Sequence, residues 1–371
     1  MNLSFQRMFY AITTVFALFA ILVLAQPILI PLSIALLLSF ILFPLAKKFE
    51  SWNMSRMFSA FLSIFIMILI IAGMIYFLSA QIITVSKEFT HIQDRIINAF
   101  ADVTVYINNN VSFVENLERN ELFDRMKTWL SDSIGFLLGK TVNSTATFLA
   151  GLLATIIFTF LLLIYRDGFT EAFLAFAPED IRDRVFIMLK SIQQVGQQYL
   201  IGILILTLVV GFANSFGLMI IGIDNPFLFG FLGAALAIIP YIGTSMGAII
   251  PIVYTYVSYN SLWMTVAVAL LFWLVQLVSD NILTPRIVGG SLKINALTAL
   301  LSLFIGAAVW GIAGMILFLP FTAMLRVICE EFEELKPVAL LLGEQNKNES
   351  DGTGKISVWW EKIKKRFSKS V

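Results

Sequence analysis

The residues best equipped for chemistry in this sequence are few and lie close together. Asp280 and Arg286 fall within V-Q-L-V-S-D-N-I-L-T-P-R-I-V-G-G, residues 275–290, directly after 55 residues, Asn225 to Ser279, without a charged side chain. A carboxylate at mid-bilayer costs at least about 2.5–3.5 kcal/mol, so Asp280 is either solvated at an interface or retained in a polar cavity, where it can hold a proton or a cation. Asn281 suits a helix cap or turn, and Pro285 is expected to stop the helix. Arg286, six residues from Asp280 and on a different helical face, is expected to snorkel toward headgroups. His91 is the only histidine and Cys329 the only cysteine. A metal site normally takes three or four donors and a disulfide takes two thiols, so neither is expected. No glycine-rich nucleotide loop and no His-Glu-x-x-His pair occurs, so the expectation is a protein that is not an enzyme, carries no cofactor and is not driven directly by ATP.

What must position Asp280 is a membrane scaffold. Of the 371 residues 59% are hydrophobic and 13% charged, with a net charge of +1, which excludes a global field for recruiting nucleic acid. A bilayer core about 30 Å thick takes about 20 helical residues. Met8–Ala25 and Pro27–Ala46 therefore read as two spans broken at proline, followed by Met57–Ala80, Thr145–Tyr165, Tyr199–Ile223 and Leu262–Ser279. Arg7, Lys47, Lys48 and Arg56 assign the ends that carry them to the cytoplasm. The charged stretch 81–140, with Val85, Phe89, Ile92, Ile96, Val103 and Ile107 on one stripe, predicts an amphipathic helical insert outside the membrane, on the periplasmic side. The organisation expected is 1–80 (first spans), 81–140 (insert), 141–335 (transport domain) and 336–371 (cytoplasmic tail), an all-α polytopic protein of six to eight membrane segments.

Two apolar runs have the wrong length. Residues 227–257 are interrupted by Pro240-Tyr241-Ile242-Gly243, and residues 295–325 by Gly306, Gly311 and Gly314. Each run is either one long kinked span or a re-entrant hairpin of two short arms. With hairpins, Arg286 and Lys293 fall in the cytoplasm, which the positive-inside rule favours. Irregular backbone at membrane depth persists only where protein or a water-filled cavity satisfies it, and paired broken segments are a sequence pointer to a transport pathway. Pro240, Tyr241 and Gly243 are thus pathway candidates, whereas the three glycines of the second run fit either a pathway or close helix packing. Gln194, Gln197 and Gln198, just before a span, suit a polar vestibule. In the tail, Trp359 and Trp360 share a helical side with apolar neighbours while Lys362, Lys364, Lys365 and Arg366 add charge, the pattern of a helix lying on an anionic leaflet.

The ordered set P-Y-I-G at 240–243, D-N-I-L-T-P at 280–285 and the glycines closing on F-L-P at 318–320 resembles the autoinducer-2 exporter family of bacterial permeases. Arg166-Asp167-Gly168, the Gln197–Gly202 region and Gly222 extend the likeness over about Ala150 to Glu334. Thr244 and Asn295-Ala296 depart from it, standing where members often carry proline and His-Pro. The resemblance implies a multi-spanning inner-membrane secondary transporter, homo-oligomeric, with both termini cytoplasmic. Its cargo would be a small polar metabolite or signalling molecule, or a monovalent cation exchanged for protons; a passive channel or scaffold is the remaining class.

Overall fold

The computed structural model of the chain describes residues 5–79, 141–239 and 242–344. The expected insert, Pro240, Tyr241 and the basic tail residues lie outside them. Among the described residues the chain is helical, with an isolated antiparallel bridge between Ile294 and Gly343. Six helices among the described residues are long and apolar enough to cross a bilayer. Large apolar side chains such as Phe16, Tyr76, Phe176 and Ile220 remain exposed, as suits a surface facing lipid. The protein is an all-α polytopic membrane protein.

Helices α1 (Phe5–Leu24) and α2 (Gln26–Glu50) part only at Ala25. Pro27, in the first turn of α2, has no N–H to donate back, which produces the expected break. Helix α2 then continues past Ala46 to Glu50 and packs with α3 (Arg56–Ser79) and α4 (Thr141–Phe176) around Leu42, Ala46, Ala60, Ile64 and Leu163. The sequence reading ended the fourth span at Arg166-Asp167-Gly168, but α4 runs ten turns to Phe176. Those charges pair sideways instead of turning the chain: Arg166 bonds Glu50, Asp167 bonds Arg56, and the Arg166 guanidinium lies 5.0 Å from the Phe43 ring centroid.

Helix α5 (Arg182–Ile221) starts well before the expected Tyr199 because its first turns, including Arg184 (3.3 Å from Glu331), project beyond the apolar part. At 40 residues it is about 60 Å long, twice a bilayer core. It ends at Gly222, whose φ of 88° is a left-handed helix stop.

The two anomalous runs fold back on themselves. In the first, α6 (Pro226–Leu236) and α7 (Ile242–Tyr259) are antiparallel. A Cβ on Gly243 would overlap the Leu236 carbonyl, one on Gly247 would stand 2.8 Å from the Gly233 oxygen, and the Phe229 and Tyr254 rings are 4.5 Å apart. At the base, Tyr259 Oη donates to Asp224 Oδ2 (2.8 Å) and accepts from Asp224 N (2.7 Å), so both ends of the run lie on one side.

In the second, α9 (Ala296–Glu331) is interrupted at Trp310 and at Gly311, whose φ of 59° and ψ of −136° reverse the chain. Gly306 and Gly314 would be about 12 Å apart in an unbroken helix; here a Cβ on either overlaps the other's backbone. The Ser302 and Thr322 hydroxyls likewise share a hydrogen bond at 2.8 Å, across 20 residues. Length and composition alone count α9 as one crossing, whereas these contacts make it two arms.

Between the hairpins α8 (Leu262–Val278) begins at the Ser261 cap, whose Oγ accepts from Met264 N, and does not end near Asp280. Two π-helical turns, Ser279–Leu283 and Pro285–Gly289, carry it on, and one further turn reaches Leu292. Pro285 fails to stop the helix because the wider turns relieve the clash of its ring and the loss of its N–H. After α9 the chain turns through α10 (Lys336–Leu342) and returns to the start of the second hairpin. Asn295 N donates to Leu342 O, Glu344 N donates to Lys293 O, and the Asn295 side chain caps α9 through Thr298 N while donating to Leu341 O.

Candidate functional site

The inner face of the first hairpin, α5 and α8 together border a partly open cavity of about 240 Å³. Polar side chains reach it from three helices: Asn214 from α5, Thr244 and Ser245 from α7, and Gln276 from α8. Phe272 and Trp273 form part of an apolar wall. None of its lining residues carries a charge. The volume falls just below the 300–1,000 Å³ of pockets for drug-sized ligands, which suits a small solute. Gly233 and Gly247, which let the two arms meet, border it too, so the close approach that shapes the hairpin also shapes the cavity.

Asn214 is 3% exposed, and its Oδ1 is buried without a hydrogen-bond partner. A buried unpaired carbonyl oxygen costs about 1–3 kcal/mol, a penalty a bound solute or water can remove. Gln276 Nε2 donates to Asp280 Oδ1 at 2.8 Å, which ties a cavity wall to the carboxylate one helical turn away.

The residues singled out from sequence fall in several places. Gly243 closes the first hairpin just beside the cavity-lining Thr244, while Pro240 and Tyr241 lie outside the described residues. Asp280 and Arg286 are exposed, and no ion pair joins them. Asn281 donates to Leu277 O at 2.8 Å, a bond within its own helix in place of a cap. Gly306 and Gly314 make the backbone contact of the second hairpin, and Gly311 its turn, so for these three the packing alternative holds. Gln194, Gln197 and Gln198 lie inside α5, short of the cavity, with Gln194 and Gln198 exposed. Trp359, Trp360, Lys362, Lys364, Lys365 and Arg366 lie outside the described residues.

Asn214, Ser245 and Gln276 were missed because a search for membrane spans counts charges, and uncharged amides and hydroxyls pass unnoticed inside apolar runs. The available signal was an Asn in the middle of Tyr199–Ile223 and a Gln within Leu262–Ser279, polar groups that need partners at bilayer depth. Thr244 was noticed only as a departure from proline.

The family model of the AI-2E family transporter matches residues 10–334. The chain belongs to the AI-2E transport family. Among its relatives is the AI-2 transport protein TqsA of Escherichia coli (strain K12), 24% identical over 332 residues that make up 87% of this chain and 91% of TqsA. A putative transport protein of Borreliella burgdorferi is 22% identical over 344 residues, 91% of each chain. The putative transport protein YrrI of Bacillus subtilis is 29% identical over 159 residues, which cover 43% of this chain and only 44% of YrrI. The resemblance drawn from the ordered motifs is thereby shown, and this AI-2E chain is a membrane protein of a transporter family.

Proposed function

We propose that this chain is a secondary permease that moves a small, uncharged polar metabolite or signalling molecule across the bacterial inner membrane. The observation that carries the reading is the cavity: uncharged, hydrogen-bonding on one side, apolar on the other, and set at the turn of a broken membrane segment. The name of TqsA, an AI-2 transport protein, supports a signalling molecule as cargo. In this reading the first hairpin enters from the periplasm and the second from the cytoplasm, since the continuous helix 262–289 separates them and each has both ends on one side. Ion-paired Glu50, Arg56, Arg166 and Asp167 gather at the end that the positive-inside rule assigns to the cytoplasm, and Arg184 with Glu331 supports a cytoplasmic C-terminus. A homo-oligomer belongs to the same reading, and cross-linking in native membranes tests it.

Two experiments test the proposal. Solute counterflow in proteoliposomes separates a carrier, which accelerates exchange from the trans side, from a passive pore, which does not. Cysteines at Asn260 and Lys293 are expected to react with an impermeant maleimide from the periplasm and the cytoplasm respectively; the reverse pattern contradicts the orientation. A monovalent cation/proton exchanger is the second reading, favoured by the bond from cavity-lining Gln276 to Asp280. It predicts Na⁺ or Li⁺ flux whose pH dependence disappears in Asp280→Asn.

A further inference from the structure

The polar residues of the cavity are not equivalent. Gln276 is committed to Asp280, and Thr244 and Ser245 have interactions of their own. Asn214 differs. It is the most buried of the four, it comes from the long helix α5 and not from the hairpin, and its Oδ1 meets no donor among the described residues. Its neighbour Ser215 shows the contrast: equally buried, it discharges its hydroxyl onto the Gly211 carbonyl at 2.7 Å. Packing alone does not call for an amide here, since an apolar side chain would fill the site without leaving a polar atom unpaired. Asn214 lines the space bounded by the edge of the first hairpin and the Phe272 ring, so a solute held there lies next to its amide.

We propose that Asn214 is the specificity-determining residue of this cavity: its side-chain amide selects solutes that present a hydroxyl or amide donor over analogues lacking that donor and over bare cations. The inference rests on the reading of the cavity as the solute site. The physical basis is asymmetry of cost. A site holding an unpaired buried acceptor rejects a ligand that leaves the acceptor unpaired far more strongly than an apolar wall rejects an extra hydroxyl. A monovalent cation gains little, because one amide oxygen and an uncharged wall replace only part of its hydration shell.

The test uses the full chain in proteoliposomes, with D-ribose, its 2-deoxy and 3-deoxy analogues, and Na⁺ as the solutes. Wild type is expected to take up ribose faster than at least one deoxy analogue. In Asn214→Leu that ratio is expected to fall about ten-fold, toward one. The ratio is the decisive readout, since misfolding lowers all uptake together and leaves it unchanged. If Asn214→Leu does not assemble, Asn214→Ser gives the same readout, with a smaller fall expected. Sugar uptake with an unchanged ratio in the variants overturns the assignment and makes Asn214 a structural residue. Wild-type protein that moves Na⁺ and none of the sugars overturns the underlying solute reading, and the assignment with it.

Discussion

The two hairpins use the same backbone device and differ in what they do with their polar groups. Each brings glycines into contact, Gly233 with Gly247 in the first and Gly306 with Gly314 in the second, and each is tied at its base, by Tyr259 with Asp224 and by Asn295 with the 341–343 segment. In the second, the polar side chains are satisfied by protein: Ser302 bonds Thr298 O and Thr322 within the hairpin, and Trp310 Nε1 donates to the Leu22 carbonyl at 2.9 Å, one of the acceptors left open where α1 ends. In the first, Thr244 and Ser245 of the hairpin's own α7 line a cavity together with the unpaired amide of Asn214 from the neighbouring α5. Fold-back of an apolar run is therefore a structural solution in both, and the first differs in bordering a cavity lined by the unpaired Asn214 amide.

The harshest way to break the comparison is to remove what the hairpins share. Gly243→Val and Gly306→Val each drive a branched side chain into backbone carbonyls that cannot yield, so each is expected to cost more than about 3 kcal/mol, beyond the usual overpacking range. Thermal unfolding in detergent, or loss of folded yield, measures it. A variant of either kind that melts like wild type contradicts the fold-back at that glycine.

A sharper cut separates their functions. Ser302→Ala deletes a satisfied hydroxyl and leaves Thr322 without that partner, so about 1 kcal/mol of stability should go while solute preference stays. Asn214→Leu should do the reverse. Removing an unsatisfied buried amide leaves stability equal or raised by about 1 kcal/mol, yet solute uptake falls. Melting temperature and uptake measured on the same two preparations check the pair, and parallel changes in both would erase the distinction.

The helical scaffold was legible in the sequence to the extent that apolar length reports it. Pro27 marked the α1–α2 break, and the wrong lengths of 227–257 and 295–325 marked two irregular segments, for which fold-back was one of two alternatives that the contacts then decided. Helix ends were less legible. Charges at Arg166-Asp167 and the proline at 285 look like stops, but lateral pairing with Glu50 and Arg56 and π-turns let the helices run on, and both depend on neighbours that a linear reading does not see. The site was the least legible part. Asp280 drew notice because it is charged, whereas Asn214, which is buried and unpaired, is one polar residue among many until the packing of α5 against the hairpin is known.

Asp280 carries the smallest expected effect. In Asp280→Asn an amide oxygen can still accept from Gln276 Nε2, so uptake of an uncharged solute should change less than about two-fold. Flux of ribose and of Na⁺ at several pH values checks it. A lost pH response in cation flux would move the account to the exchanger reading.

The most direct test of the central claim, that the space between the first hairpin, α5 and α8 is where solute passes, is to fill it. Ala269 lines the cavity from α8, and Ala269→Phe puts a ring into a volume of about 240 Å³. Solute counterflow by reconstituted wild type and Ala269→Phe, with oligomeric assembly compared on native gels, is the measurement. The account predicts counterflow in wild type and its loss in an Ala269→Phe protein that still assembles; undiminished counterflow with the cavity filled would contradict it.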